Sequence, residues 1–220
     1  MTSSEVRVEI ARRVAAQLEP GQYVNLGIGI PTLVADVLGD DSGIVFHSEN
    51  GLLGMRGLRE GEVPDPELVD AGKRPVALEP GGAFFDQSLS FAMIRGGYID
   101  VAVLGAFEVS PAGDLASWSL GEGQANGVGG AMDLAAGAKR VWVTMLHRGS
   151  TGAAKLVPAC RYPVTAHGVV DLIFTELGVF APAGDTFRVV SLAPGVTRED
   201  LGDEIDARLY TFENEESPVR

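Results

Sequence analysis

The sequence predicts an α/β fold: an open, mainly parallel sheet flanked by helices, with β-hairpin additions. Three features carry that expectation. Short apolar runs rich in β-branched residues alternate with amphipathic segments at helical spacing. Turns containing glycine separate them. The run Gly43-Ile44-Val45-Phe46 carries no polar side chain, as a strand buried on both faces of a parallel sheet requires. With 45% of its 220 residues hydrophobic, the chain can bury a full core; residues 1–212 read as one domain and residues 213–220 as an acidic tail.

Thr2-Ser3-Ser4-Glu5 has capping-box spacing, and Val6, Ile10 and Val14 with Ala11, Ala15 and Leu18 form one face of a helix ending at Pro20-Gly21. Tyr23-Val24-Asn25-Leu26 reads as a strand, Gly27-Ile28-Gly29-Ile30 as a turn, and Leu33, Val34, Val37 and Leu38 as a helix. The turn is not a dinucleotide fingerprint, because the third glycine is replaced by Thr32, and no nucleotide-binding phosphate loop occurs elsewhere. Beyond the strand at 43–46, residues 56–73 are rich in Arg, Glu, Asp and Pro and read as an exposed connection. Pro75-Val76-Ala77-Leu78 restores a strand, Asp86 caps a helix through residues 88–94 that stops at Gly96-Gly97, and residues 99–104 form another apolar strand. Pro111-Ala112-Gly113-Asp114 has turn chemistry and joins residues 107–110 to 115–118 as a hairpin. Residues 121–130 are too glycine-rich for a regular element, and Ala131-Met132-Asp133-Leu134 looks helical. Residues 140–146, 169–174, 178–180 and 187–192 read as strands, and the capping pair Thr197 and Asp200 leads into a last helix reaching Leu209.

Lys+Arg 17 against Asp+Glu 30 gives a net charge of -13, which argues against a nucleic-acid or anionic-membrane surface. If the ligand is anionic, cations or backbone N–H groups must be gathered locally to meet it. Cys160 has no partner for an internal disulfide, no basic region leads into an apolar signal core, and no apolar run approaches a membrane span, so the cytoplasm is the expected location. His47, His147 and His167 lie far apart without ligand spacing, and no metal site is expected.

Glu49 stands where the strand at 43–46 gives way to a glycine loop. Ligands of parallel sheets sit at the carboxyl ends of strands, which makes this carboxylate the first candidate for chemistry. A helix cap or a salt bridge fits the same position. The loop carrying Gly127, Gly129 and Gly130 can bring several N–H groups onto one oxygen, and a flexible hairpin extension fits it equally well.

Phe46-His47-Ser48-Glu49-Asn50-Gly51-Leu52-Leu53-Gly54 resembles the signature of family I CoA-transferases, in the B (β) subunit of the 3-oxoacid type, at all nine positions. The likeness extends through Asn25-Leu26-Gly27-Ile28-Gly29-Ile30-Pro31, Ser90-Phe91-Ala92-Met93-Ile94-Arg95-Gly96-Gly97 and Gly127-Val128-Gly129-Gly130-Ala131-Met132-Asp133-Leu134. The resemblance implies a transferase moving CoA from an acyl-CoA such as succinyl-CoA to 3-oxoadipate or acetoacetate. It implies Glu49 as the nucleophile, passing by a ping-pong route through an acyl-glutamyl anhydride to a glutamyl-CoA thioester. Gly127, Gly129 and Gly130 become the expected oxyanion- or CoA-binding backbone. Asn50 could orient the carboxylate or simply cap its own turn, and Arg56 could meet an acidic substrate or be a surface charge. Coenzyme A enters as a substrate thioester, with no permanently bound cofactor. Nothing in the chain fits the family's A-subunit signature, so an A partner and an A2B2 assembly are implied.

Three positions depart from the family pattern: Arg56 for glycine, Ser117 for the Asn before Trp118, and Leu146 for Glu in a Met-Glu-His segment. They keep a CoA-ester hydrolase or a carbon–carbon cleaving enzyme on the same fold in view, beside a non-enzymatic CoA-binding role.

Overall fold

The structure, a computed structural model, describes residues 2–121, 129–204 and 210–212. The chain opens with α1 (Ser3–Ala15), where Thr2 and Glu5 close the capping box reciprocally. It continues through β1 (Tyr23–Leu26), α2 (Leu33–Val37), a 3-10 turn at Asp40–Ser42, β2 (Val45–Ser48), β3 (Leu52–Arg56), β4 (Ala77–Phe84), α3 (Gln87–Arg95) and β5 (Val101–Gly105). A small hairpin, β6 (Glu108–Val109) and β7 (Leu115–Ala116), precedes α4 (Ala131–Gly137) and β8 (Val141–Thr144). The remainder comprises β9 (Val170–Phe174), β10 (Gly178–Pro182), β11 (Phe187–Leu192), α5 (Arg198–Glu204) and β12 (Tyr210–Phe212).

Among the described residues, ten strands form one sheet in the order β12-β11-β10-β9-β8-β5-β1-β2-β3-β4. Its middle, β9-β8-β5-β1-β2, is parallel throughout. One edge is extended by the antiparallel pair β3 and β4, the other by antiparallel β10 and β11 with β12 parallel to β11. Successive residues of a strand face opposite sides, so β5 feeds two cores. Val101 and Val103 pack with Ile10, Ala11 and Val14 of α1 and Val34 of α2, while Ala102 and Leu104 pack with Ile94 of α3 and Leu134 of α4. The chain steps from β1 to β2 on one side, then returns past β1 to β5 and β8 on the other. The direction of winding therefore reverses between β1 and β5, where open α/β sheets leave a crevice for ligands.

Several boundaries differ from the sequence expectation. The strand expected at 43–46 runs over Val45–Ser48, because Gly43 takes a left-handed φ of 70° to leave the 3-10 turn. The loop expected after Glu49 is a short turn into β3, an antiparallel strand that its two leucines and a glycine did not announce. Strand β4 continues well past Leu78, through Pro80 and Gly81-Gly82, which an edge strand tolerates. The connection expected at 56–73 is exposed over residues 59–67 but folds back at its end, where Asp70 is buried and Val69 bridges to Pro75. Gly127, residues 205–209 of the expected last helix, and the tail at 213–220 lie outside the described residues.

Candidate active site

Glu49 is the first residue beyond β2, and the turn that carries it admits no substitute at Gly51. Gly51 has φ 115°, and a Cβ there would stand 2.1 Å from the Phe85 carbonyl oxygen. Its N–H donates to the Ser48 carbonyl at 3.0 Å and its own carbonyl accepts from Phe85 N at 3.1 Å. The turn is thus fixed to the strand before it and to the segment leading into α3.

Parallel pairing sets Asn25 of β1 beside His47 of β2, and both are fully buried. Asn25 Nδ2 lies 2.9 Å from His47 Nδ1, 3.3 Å from the His47 carbonyl oxygen and 3.5 Å from Glu49 Oε2. The carbonyl and the carboxylate accept, which places the amide NH2 on this side, and because that group only donates, His47 Nδ1 accepts. The ring proton therefore sits on Nε2, where it donates to Ser90 Oγ of α3 at 3.0 Å. Phe85 stacks on the same imidazole at 6.0 Å between centroids and 14° between planes. Burial in these surroundings pushes His47 down to about 4, leaving it neutral at physiological pH.

Burial pushes the Glu49 carboxyl in the opposite direction, upward, aided by the negative charge of Asp70 and opposed by its own backbone N–H and by Asn25. A carboxylate held this way is more basic than one in water, which favours nucleophilic attack. Asp70 is kept in place by Arg74, whose backbone N–H it accepts at 2.9 Å, while Ser48 Oγ accepts from Ala71 N at 3.0 Å.

Gly130 approaches Glu49 from the opposite wall. A Cβ at 130 would meet Glu49 Cγ at 3.4 Å and Phe91 Cζ at 3.2 Å, so the backbone at the start of α4 lies against the carboxylate's own side chain. Gly129, at φ 51°, precedes it on the same wall. Glu49, Gly129 and Gly130 open onto one cleft of about 930 Å³. The segments following β1, β2, β5 and β8 line it: Gly27 to Ile30, Glu49, Gly105 to Phe107, and Thr144 to Leu146.

The other two site candidates point elsewhere. Asn50 Nδ2 donates to the Val69 carbonyl at 2.8 Å and ties the turn to the returning connection. Arg56 is at the far end of β3, roughly 15 Å along the strand from the turn. It forms a two-bond pair with Glu62 at 2.7 Å, contacts Glu79 at 3.2 Å and lines a separate hollow of about 280 Å³. Of the departures from the family pattern, Ser117 and Leu146 do line the Glu49 cleft. The sequence did not single out Asn25 or Ser90, whose meeting with His47 depends on strand register, nor Lys155, which lines the same cleft. Among the described residues, no His, Cys, Asp and Glu side chains gather into a metal site, and no helix is long and apolar enough to cross a membrane.

Residues 7–203 match the model of the Coenzyme A transferase family. The chain belongs to the coenzyme A transferase family. It is 50% identical to the B subunit of 3-oxoadipate CoA-transferase from Pseudomonas putida over 202 residues, covering 91% of this chain and 94% of that one. The B subunit of succinyl-CoA:3-ketoacid coenzyme A transferase from Helicobacter pylori is 45% identical over 203 residues, covering 92% and 97%. Among solved structures, an acyl-CoA transferase apoenzyme from Escherichia coli O157:H7 shares the fold with a TM-score of 0.71 and 24% identity. The match covers 91% of this family member and 40% of that longer chain.

Proposed function

We propose that this chain is the B subunit of a 3-oxoacid CoA-transferase, moving CoA from an acyl-CoA such as succinyl-CoA to 3-oxoadipate or acetoacetate. The observation that carries the reading is Glu49: a desolvated carboxylate at the carboxyl end of β2, facing a ligand-sized cleft with the Gly130 backbone against it. The carboxylate adds to the acyl-CoA carbonyl and expels CoA thiolate, leaving an acyl-glutamyl anhydride. The thiolate then attacks the glutamyl carbonyl, the donor acid departs as its carboxylate, and Glu49 holds CoA as a thioester. The acceptor acid repeats the sequence in reverse. A carboxylate suits this role because the anhydride keeps the acyl group activated and conserves the thioester's free energy. Each addition builds charge on oxygen, for which Gly129 and Gly130 supply the candidate N–H donors, a preorganised donor contributing roughly 3 kcal/mol. Coenzyme A is a substrate here, and the site needs no resident cofactor.

An A-type partner completes the site, in an A2B2 assembly operating in the cytoplasm. Two findings support a partner: the relatives named above are designated B subunits, and the longer acyl-CoA transferase is matched over only 40% of its length.

Incubation of the assembled enzyme with acyl-CoA, followed by mass analysis of this chain, should reveal a CoA adduct on Glu49 that Glu49→Ala lacks. A chain that stays unmodified while the complex transfers CoA would sink the mechanism. Ser117 and Leu146 in the cleft favour one second reading, hydrolysis of the thioester. Under it, free CoA would accumulate at the same rate with and without an acceptor acid.

A further inference from the structure

The cleft reverses the charge balance of the chain. Among the described residues its walls carry three cations, Arg7, Arg148 and Lys155, and one carboxylate, Glu49 itself, in a chain with Lys+Arg 17 and Asp+Glu 30. The cations are not equivalent. Arg7 is exposed on α1, and Arg148 donates through Nη1 to the Gly152 carbonyl at 2.7 Å. Lys155 is half-buried, with its backbone clamped on both sides. Its N–H donates to the His147 carbonyl at 3.2 Å, and its carbonyl accepts from Val109 N at 3.0 Å. The side chain therefore springs from a fixed point between the segments that follow β5 and β8.

Two carboxylates reach Lys155 with their charge, yet both are engaged elsewhere. Glu176 accepts the His147 N–H at 2.9 and 3.1 Å, and Glu108 holds Arg161 Nε at 2.7 Å. Among the described residues, no carboxylate hydrogen-bonds the ammonium. Burial pushes Lys155 down to about 8, as expected for a cation that has lost water without gaining a bonded partner. An anionic ligand would remove that cost.

Spacing indicates which anion. Glu49 follows β2, and Lys155 lies beside the ends of β5 and β8, two to three strands along the sheet. At about 4.8 Å per strand this is on the order of 10–15 Å between backbones. Both residues line the one cleft, and once the lengths of their side chains are taken from that separation, the remaining gap has the scale of a short diacid. The phosphates of CoA are separated from its thioester by the whole pantetheine arm, which is longer than this gap.

We propose that Lys155 receives the distal carboxylate of a dicarboxylic substrate whose reacting carboxyl group lies at Glu49, so that the enzyme selects diacids on both sides of the exchange. The proposal rests on the transferase reading above. Donor and acceptor occupy the site in turn, so one cation serves both half-reactions. Succinyl-CoA and 3-oxoadipate each carry the second carboxylate, and acetoacetate has none.

The test compares the assembled enzyme with Lys155→Met and Lys155→Arg, using succinyl-CoA as donor against 3-oxoadipate and acetoacetate, and acetyl-CoA against acetoacetate as a pair without a distal carboxylate. The wild-type complex should prefer 3-oxoadipate. Lys155→Met should lower the ratio of kcat/KM for 3-oxoadipate to that for acetoacetate roughly 10–100-fold, the loss expected for a charge-assisted contact, and Lys155→Arg should restore part of it. An equal loss with all three pairs, acetyl-CoA included, would mean that Lys155 meets the phosphates or only supports the fold, and would overturn the proposal. So would an unchanged ratio. A wild-type complex that moves CoA between no pair of acids would instead overturn the transferase reading.

Discussion

Lowering the pH from 7 to 4 protonates His47 in the unfolded chain well before it protonates the folded one. The imidazole is ordinary at 6.5 when unfolded and is held near 4 in the fold by burial between Phe85, Asn25 and Ser90. Between those values the unfolded state binds more protons, so stability rises with pH. The contribution is complete above about 6.5 and is lost as the pH falls towards 4. At about 1.4 kcal/mol per tenfold, the difference is about 3 kcal/mol, a large share of the 5–15 kcal/mol that holds a typical domain. Carboxylates held low, such as Glu62, weaken the fold in the same direction at lower pH, so bulk unfolding curves alone do not isolate the imidazole. Nitrogen-detected NMR does. The His47 ring should titrate with a midpoint near 4 and show the Nε2–H tautomer throughout the neutral range. A midpoint near 6.5, or a proton on Nδ1, would refute the account of how Asn25 holds the ring.

Gly51→Ala forces a side chain into φ 115° and against the Phe85 carbonyl, and chemical denaturation should register a loss on the order of 2–4 kcal/mol; a loss under about 1 kcal/mol would show that the turn is softer than described. Gly130→Ala meets no backbone penalty, its φ being -83°, but pushes on Glu49 and Phe91. Its stability should change by less than about 1.5 kcal/mol while kcat falls about 10–100-fold, because the proposed nucleophile is displaced by a fraction of an ångström. Lys155→Met removes a desolvated cation and should stabilise the chain at pH 7 by on the order of 1–3 kcal/mol. That gain should shrink above pH 8, where the folded-state amine is already neutral; a destabilised variant at pH 7 would mean that the ammonium has a bonded partner after all.

What could be read in the sequence was local. Thr2 and Glu5 announced the start of α1 because a capping box lies within one turn, and the apolar runs at β5 and β8 announced strands because a strand buried on both faces must be largely apolar. Strand β4 was obscured by Pro80, Gly81 and Gly82, residues that an edge strand accepts because its ladder can be interrupted, and β3 by Gly54, which sits at a shift in its register with β4. Glu49 stood out by position and by resemblance. The network around it did not, since Asn25, His47, Ser90 and Asp70 come from four separate segments joined by register and by the fold-back of a connection. Arg56 illustrates the converse: near Glu49 in sequence, it is carried away by the direction of β3 into a network with Glu62 and Glu79.

The reversal of winding between β1 and β5 has a consequence for how such a cleft can change over evolutionary time. Glu49, the proposed nucleophile, is anchored on the β2 side of the crevice, and the walls contributed by Met145, Leu146 and Lys155 hang from the β8 side. Substitutions on the β8 side can rework the acid that is accepted without disturbing the turn that holds Glu49. The backbone distance between the two sides is graduated in whole strand spacings of about 4.8 Å. On this chain's walls, acids differing by a single methylene are therefore distinguished by side-chain length, and the sheet stays as a fixed ruler beneath the residues that can be replaced.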